Sequence, residues 1–166
     1  MELVNHREDK RALRLVCKRT RASVDSRVVG VRGGYRLYPP EPLGELQLSA
    51  LVRAPWQLQR LYLSNIKLGD ADAAVLAAAP WPSLRELNLN INNLGPVCAA
   101  ALAAAAWPSL RVLELGANSL GDAGAAALAA ARFPALQSLF LFANGISSEG
   151  RALLQARWPT ARISVS

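Results

Sequence analysis

Hydrophobic residues recur at a fixed interval along most of this chain. Leucine occupies positions spaced 26 residues apart, and further leucine series follow at constant offsets; the first series is Leu58, Leu84, Leu110 and Leu136. Each copy reads Leu-x-x-Leu-x-Leu-x-x-Asn-x-Leu, and the asparagine position holds Asn92, Asn118 and Asn144. Such a period is typical of architectures that stack one supersecondary unit many times. The pattern therefore predicts a repeat array.

Within each copy the leucines alternate with polar residues, as in "LRELNL". Period 2 is typical of a strand with one buried face, so Leu87 and Leu89 are predicted to point inward and the residues between them outward. Asparagine after the strand favours a tight turn, because its side chain can bond to nearby backbone groups, and stacked copies can form a ladder. The first copy has Ile66 in this position, and its turn is expected to differ.

A helix of small residues is predicted after each turn, as in "LGDAGAAALAAARFP". Alanine has the strongest helix propensity, Asp122 is predicted as the N-cap, and Pro134 ends the helix. Asp70, Pro96 and Ser148 occupy the equivalent cap position in the other copies.

Each predicted helix carries one large inward anchor. Four residues before it stands a small group, where we expect the helix to approach the sheet closely. The pairs are Asp72 with Leu76, Cys98 with Leu102, Gly124 with Leu128, and Gly150 with Leu154. Asp72 is the exception in this series, and it either acts as a helix cap or is solvated at the edge of the array.

The repeated text resembles the leucine-rich repeat, and its length with a full helix resembles the ribonuclease-inhibitor-like subclass; the resemblance covers about residues 56–166. A helix with one large apolar residue per two turns buries too little surface alone, so the copies must stack on one another. Strand, turn, helix and return loop predict a right-handed α/β solenoid. Its parallel strands are expected on the concave face and its helices on the convex face.

Aromatic residues followed by proline stand just before the predicted strands: Trp81, Trp107, Phe133 and Trp158. Trp56 is nearly equivalent, one position out of register. We interpret this series as structural packing.

The start of the array departs from the regular repeat. Residues 27–57 are predicted to form a longer, degenerate first repeat. Val29 and Val31 would take its strand positions, and Leu46 to Val52 would form its helix.

The end of the array also departs from the period. Ile163 and Val165, in residues 158–166, supply a final strand that is one residue short of register. Regular repeats run from about residue 58 to 157, so the predicted array comprises residues 27–166.

The positive charge is concentrated at the N-terminal end. Of the formal net charge of +7, residues 1–36 contribute +6, through ten Lys/Arg against four Asp/Glu. Within residues 1–26, Asp9 can cap a helix with an apolar stripe that includes Leu15 and Val16.

The N-terminal segment "ALRLVCKRTRASVDSRV" resembles the second half of an F-box, although "MELVN", at positions 1–5, does not match the usual Leu-Pro opening. The resemblance implies binding of a Skp-type adaptor and delivery of a bound protein for ubiquitination. Two alternatives stay open. The segment can be a cap that shields the first repeat, or its basic groups can contact nucleic-acid phosphates, which is the less favoured hypothesis. The candidate contact residues are Lys10, Arg11, Arg14, Lys18 and Arg19.

Chemistry-bearing residues are few and scattered. His6 is the only histidine, Cys98 falls in a predicted helix, and Cys17 matches a core position of the F-box-like helix. His, Cys and acidic residues nowhere have the spacing of metal ligands. We therefore expect no enzyme activity, no metal and no cofactor.

Hydropathy and cysteine content indicate the compartment. The longest apolar run has ten residues, Val97 to Ala106, whereas a membrane-spanning helix needs about 20. The N-terminus lacks the apolar stretch of a secretory signal, and two cysteines suit a reducing compartment. We expect a cytoplasmic protein, with nucleus or cytoskeleton as alternatives, that does not bind membranes.

The outward strand positions are the predicted binding surface. Aromatic and acidic side chains on a rigid sheet are typical of the centres of protein interfaces. The sequence thus favours a non-catalytic module that binds a protein partner, within an F-box-type ubiquitin ligase or as a scaffold in a cytoskeletal or ciliary assembly. The predicted contact residues are Arg60, Tyr62, Glu86, Asn88, Asn90, Glu114, Phe140 and Phe142.

Overall fold

The computed structural model describes residues 28–31, 34–37, 48, 52 and 58–165. Within these residues, seven strands form one sheet in chain order. They are β1 (Val28–Val31), β2 (Gly34–Leu37), β3 (Leu58–Tyr62), β4 (Glu86–Asn88), β5 (Val112–Glu114), β6 (Ser138–Phe140) and β7 (Arg162–Ser164). All pairings from β2 to β7 are parallel.

Helices alternate with the strands from β3 onward. Their bounds are α1 (Asp70–Ala77), α2 (Pro96–Ala103), α3 (Gly121–Ala129) and α4 (Ser148–Arg157). Each helix packs on the next one along the chain. The parallel sheet with alternating helices is the α/β repeat fold predicted from the period.

The 26-residue period is also the register of the sheet. Leu61 lies beside Leu87, and Leu113 lies beside Leu139. All four are at most 1% exposed. Since the helix anchors Leu76, Leu102, Leu128 and Leu154 are also buried, the core lies between the sheet and the helices, as the alternation predicts.

The asparagine ladder links successive turns. Asn118 Oδ1 accepts the backbone N–H groups of Asn92 and Leu94, each at 3.2 Å. Its Nδ2 donates to Leu89 O at 3.1 Å and to Leu115 O at 2.9 Å. Asn118 is only 9% exposed, so its side chain supplies partners for backbone groups that would otherwise be buried without one.

The residue before the asparagine position adopts a left-handed conformation in every regular copy; these residues are Asn65, Ile91, Ala117 and Ala143, with φ between 52° and 57°. The first copy keeps this feature although Ile66 is buried in the asparagine position. Lys67 also has a positive φ, of 59°, which distinguishes this turn from those of the second and third copies but is shared by Gly145 in the fourth, with a φ of 66°.

The aromatic residues before the strands are packing residues, as predicted. Trp81 stacks on Trp107, and Trp107 stacks on Phe133, with ring centroids 6.2 Å apart in both pairs. Trp158 is also buried, at 8% exposure. Trp56 lies outside the described residues.

The predicted helix caps were wrong by one or two positions. The N-caps are Gly69, Gly95, Leu120 and Ser147, so Asp70, Pro96, Asp122 and Ser148 lie in the first turn. The two aspartates instead accept backbone N–H groups from the next repeat. Asp70 Oδ1 lies 2.7 Å from Gly95 N, and Asp122 Oδ1 lies 2.8 Å from Ser147 N. The first N–H groups of a helix lack partners within it, so a carboxylate from the neighbouring repeat stabilises them.

Asp72 is a cap rather than a solvated edge residue, since its Oδ2 accepts the Gly69 N–H at 2.9 Å.

The small residues of the helices were predicted to lie close to the sheet, but the glycines among them lie close to other helix residues instead. A Cβ on Gly124 or Gly150 would meet side chains of the preceding helix and of its own N-terminal turn. These glycines therefore allow helix-to-helix packing.

The first repeat differs from its prediction. Strand β1 pairs antiparallel with β2, with Val29 opposite Arg36, and β2 lies beside β3 with Leu37 next to Leu61. Val29 and Val31 therefore do not take the strand position next to β3. Only two residues separate β1 from β2, a length typical of hairpins. Leu48 and Val52 are helical and belong to the core or pack on it.

Strand β7 is two positions short of the period, not one. Ile163 lies beside Leu139, 24 residues earlier. Trp158 follows Phe133 by 25 residues, and the segment from Trp158 to Ile163 is one residue shorter than its counterpart from Phe133 to Leu139.

Within the described residues, no helix is long and apolar enough to cross a membrane. The N-terminal segment of residues 1–26, with its candidate contact residues, lies outside the described part of the chain. The same holds for most of the predicted helix from Leu46 to Val52.

Candidate functional site: the outer sheet face

The side chains that alternate with the buried leucines line up in columns across the strands. We call this surface the outer sheet face. The first column is Arg60, Glu86, Val112, Ser138 and Arg162, and the second is Tyr62, Asn88, Glu114, Phe140 and Ser164. A third follows the strand ends at Ser64, Asn90, Gly116 and Phe142. Adjacent strands are about 4.8 Å apart, so side chains in one column are neighbours.

Glu86 is neutralised by residues of the preceding strand. Its Oε1 lies 2.8 Å from Arg60 Nε, and its Oε2 accepts the Tyr62 hydroxyl at 2.7 Å. The Arg60 and Glu86 side chains are 35% and 29% exposed. At such exposure an ion pair adds little stability, so its main effect is to hold both side chains in place.

Glu114 is held by neutral donors. Its Oε2 accepts Asn88 Nδ2 and Asn90 Nδ2, each at 2.7 Å. Asn90 Oδ1 in turn accepts the Gly116 N–H at 2.6 Å, which fixes the Asn90 amide. Among the described residues, Arg60–Glu86 is the one ion pair within 4.0 Å. The Glu114 carboxylate is thus held in place by amides, and none of the described lysine or arginine side chains forms an ion pair with it.

Two phenylalanines dominate the other end of the face. Phe142 is 37% exposed and its ring covers Gly116, where a Cβ would overlap the ring atoms. Phe140 is partly buried, and the Arg162 guanidinium carbon lies 5.8 Å from its ring centroid. Both rings stand at outward positions of the repeat, but Phe140 is only partly exposed, and Arg162 lies over its ring.

The face therefore has two parts. The polar part comprises Arg60, Tyr62, Glu86, Asn88, Asn90 and Glu114, which bond to one another between strands. The aromatic part comprises Gly116, Phe140, Phe142 and Arg162. All eight residues predicted for partner binding lie on this face.

Sequence reasoning missed the contributions of Gly116 and Arg162. The signal for Gly116 was present, because glycine stands one period before Phe142. Arg162 was missed because the shortened last segment hid its register with Ser138.

Reactive groups are sparse among the described residues. Cys98 is buried, and desolvation, with a smaller contribution from the negative charge of Asp70, raises the pKa of its thiol from 9.0 to about 12. A thiol with such a pKa stays protonated and is a poor nucleophile near neutral pH. The described residues contain no group of three or more His, Cys, Asp or Glu able to hold a metal ion. Glu86 and Glu114 stand in different columns and are each engaged by neighbours.

Comparison of the sequence with known protein families identifies the same 26-residue repeat that sets the register of the sheet. Residues 82–103 and 108–129 match the family model described as Leucine Rich repeat. These two segments are leucine-rich repeats. Each covers one strand and one helix, β4 with α2 and β5 with α3. Leucine-rich repeats generally mediate protein–protein interaction and are typically non-catalytic. A search of curated proteins found no match to the chain.

Proposed function

We propose that the outer sheet face is the binding surface for a protein partner. The observation that carries this proposal is the aromatic part, where Phe142 stays 37% exposed beside Phe140. Aromatic residues and arginine are enriched at interfaces and dominate their binding energy. Because the leucines beneath are fully buried, the face meets a partner with little further ordering cost.

The shape of the array supports the same surface. Strands in a sheet are about 4.8 Å apart, whereas packed helices are about 8–10 Å apart. A stack with both layers therefore curves toward its strands, so the outer sheet face is concave. The 26-residue period with a helix in each copy supports a right-handed solenoid of the ribonuclease-inhibitor-like subclass, spanning residues 27–166.

The N-terminal segment of residues 1–26 carries a second part of the proposal. Its similarity to an F-box supports binding of a Skp-type adaptor, which would make the repeat array the substrate-recognition part of a cytoplasmic ubiquitin ligase. This part is tested by measuring binding of a purified Skp-type adaptor to the full chain. If the adaptor does not bind, the segment is better explained as a cap of the repeat array. The protein would then act as a scaffold.

The binding surface is tested with a partner obtained by affinity purification on the full chain. Phe140→Ala with Phe142→Ala should weaken binding by at least about 30-fold, which corresponds to about 2 kcal/mol for a hot spot. Arg85→Ala and Arg132→Ala are matched controls, because both residues are exposed and lie outside the three columns. Equal affinity of all variants, at unchanged melting temperature, would place the binding site elsewhere.

A further inference from the structure

The two acidic side chains of the outer sheet face differ in how their charge is balanced. Glu86 pairs with Arg60 at 2.8 Å, so a cation of the chain itself compensates its charge. Glu114 is held only by the amides of Asn88 and Asn90 among the described residues. A carboxylate has about four acceptor sites, and these two bonds leave about half of that capacity.

Glu114 lies next to an aromatic ring. The register places it beside Phe140 in the second column, at the strand spacing of about 4.8 Å. A fixed carboxylate beside an aromatic residue combines the two groups that recognise a guanidinium, one by charge-assisted hydrogen bonds and the other by cation–π attraction.

The chain itself demonstrates the second of these contacts. The Arg162 guanidinium carbon lies 5.8 Å from the Phe140 ring centroid, within the roughly 6 Å range of a cation–π interaction. Phe140 is therefore a ring on which a guanidinium rests in this fold. Arg162 is in the first column, on the strand that follows Phe140, whereas Glu114 is on the strand that precedes it.

We propose that Glu114 and Phe140 form a recognition site for an arginine side chain of the protein partner. The proposal rests on the outer sheet face being the binding surface. Charge complementarity selects a cationic side chain, and the planar guanidinium suits both the carboxylate and the ring better than the compact ammonium of lysine does. The open surface of Phe142 beside Phe140 accommodates the aliphatic stem of the arginine.

The site is tested on the ¹⁵N-labelled 166-residue chain with acetyl-Gly-Arg-Gly-amide as the probe. Titration should shift the backbone amide signals of Asn88, Glu114 and Phe140 saturably. The citrulline version of the peptide, which is neutral but similar in shape, should produce no saturable shift. Absence of a saturable shift with the arginine peptide, or an equal response to citrulline, would overturn the site, and an equal response to the lysine version would overturn its arginine selectivity.

Two substitutions of the same kind separate this site from the rest of the face. Glu114→Gln should weaken arginine-peptide binding at least about tenfold, equivalent to about 1.4 kcal/mol, with an unchanged melting temperature. Glu86→Gln is the matched control and should leave peptide affinity within about twofold, since its charge is already paired. Equal effects of the two variants would indicate a general field of negative charge and would contradict a specific site.

Failure of this inference is distinguishable from failure of the proposed function. With the purified partner, loss of binding in the Phe140→Ala, Phe142→Ala double variant but not in Glu114→Gln would overturn the arginine site and retain the face. Unchanged binding in both variants would overturn both proposals. Loss of binding in both variants, with Arg85→Ala unaffected, is the expected result, because Arg85 is exposed and lies outside the three columns.

Discussion

The polar and aromatic parts of the outer sheet face occupy the same columns but are stabilised differently. In the polar part, each acidic side chain accepts two donors from the preceding repeat, as Glu86 does from Arg60 and Tyr62. In the aromatic part, the ring of Phe142 fills the space left by a missing side chain at Gly116. The side chains of the polar part are thus held by hydrogen bonds between repeats, and the Phe142 ring of the aromatic part is held by packing against Gly116.

This difference has a functional consequence. Except for the remaining acceptor capacity of Glu114, the side chains of the polar part are engaged with one another and offer a partner few unsatisfied acceptors. A partly exposed ring offers apolar area, and burial of that area is the main favourable term in association. The contrast therefore favours the aromatic part as the source of affinity and the polar part as the source of specificity.

The largest expected effect is a loss of stability of the buried leucine layer beneath both parts of the face. Leu113 is fully buried in β5, at the boundary between them. Leu113→Ala should destabilise the protein by about 2–5 kcal/mol through lost burial and a cavity. Val112→Ala is the matched control on the same strand, because Val112 is only partly buried on the outer face, and it should cost less than about 1 kcal/mol. Equal midpoints in urea unfolding would contradict this assignment of the core.

The next effect is confined to the aromatic part. Gly116→Ala places a Cβ where the Phe142 ring lies, and such overpacking should cost about 1–3 kcal/mol. Phe142→Ala removes the ring, so Gly116→Ala should be nearly neutral in that background. A double-mutant cycle by thermal unfolding measures the coupling. Additive losses would show that the ring does not depend on the glycine.

How much of this contrast the sequence predicts depends on the range of the interaction. The inward leucines and the asparagine ladder follow from positions within one repeat, and both were predicted. The hydrogen bond from the Gly95 N–H to Asp70 was not predicted, because it depends on the position of the next helix relative to Asp70. The register of Arg162 was missed for the same reason, since it depends on the length of one return segment. The roles of residues that match the repeat can thus be predicted from the sequence of a single copy. Contacts between copies can be predicted only when the geometry of the stacked copies is known.

A third effect distinguishes the helices behind the two parts. Position 98 of α2 is cysteine, whereas the equivalent position 124 of α3 is glycine. Burial raises the pKa of Cys98 from 9.0 to about 12. Between these values the unfolded thiol ionises and the folded one does not, so stability should fall as pH rises from 9, by about 1.4 kcal/mol per pH unit. Below pH 9 the group contributes no pH dependence.

This alkaline loss is measured by urea unfolding at a series of pH values. The Cys98→Ala variant should show a shallower decline above pH 9 than the parent protein, with the same dependence below it. Cys17→Ser in both proteins removes the other thiol from consideration. A decline of equal slope in the two proteins would mean that the Cys98 thiol ionises as readily in the folded state as in the unfolded state.

The smallest expected effect separates the two acids of the polar part. Glu86→Gln breaks a partly exposed ion pair with Arg60, and pairs near the surface contribute about 0.2–1 kcal/mol. Glu114→Gln removes a charge that has no cationic partner within 4.0 Å among the described residues, so its effect on stability should be smaller. The loss from Glu86→Gln should also shrink between about 0.1 M and about 1 M salt, where the Debye length falls from about 10 Å to about 3 Å. Chemical unfolding at both salt concentrations measures the difference. A larger, salt-dependent loss in Glu114→Gln would show that a cation of the chain already pairs with this carboxylate, which would leave its charge unavailable to an arginine from a partner.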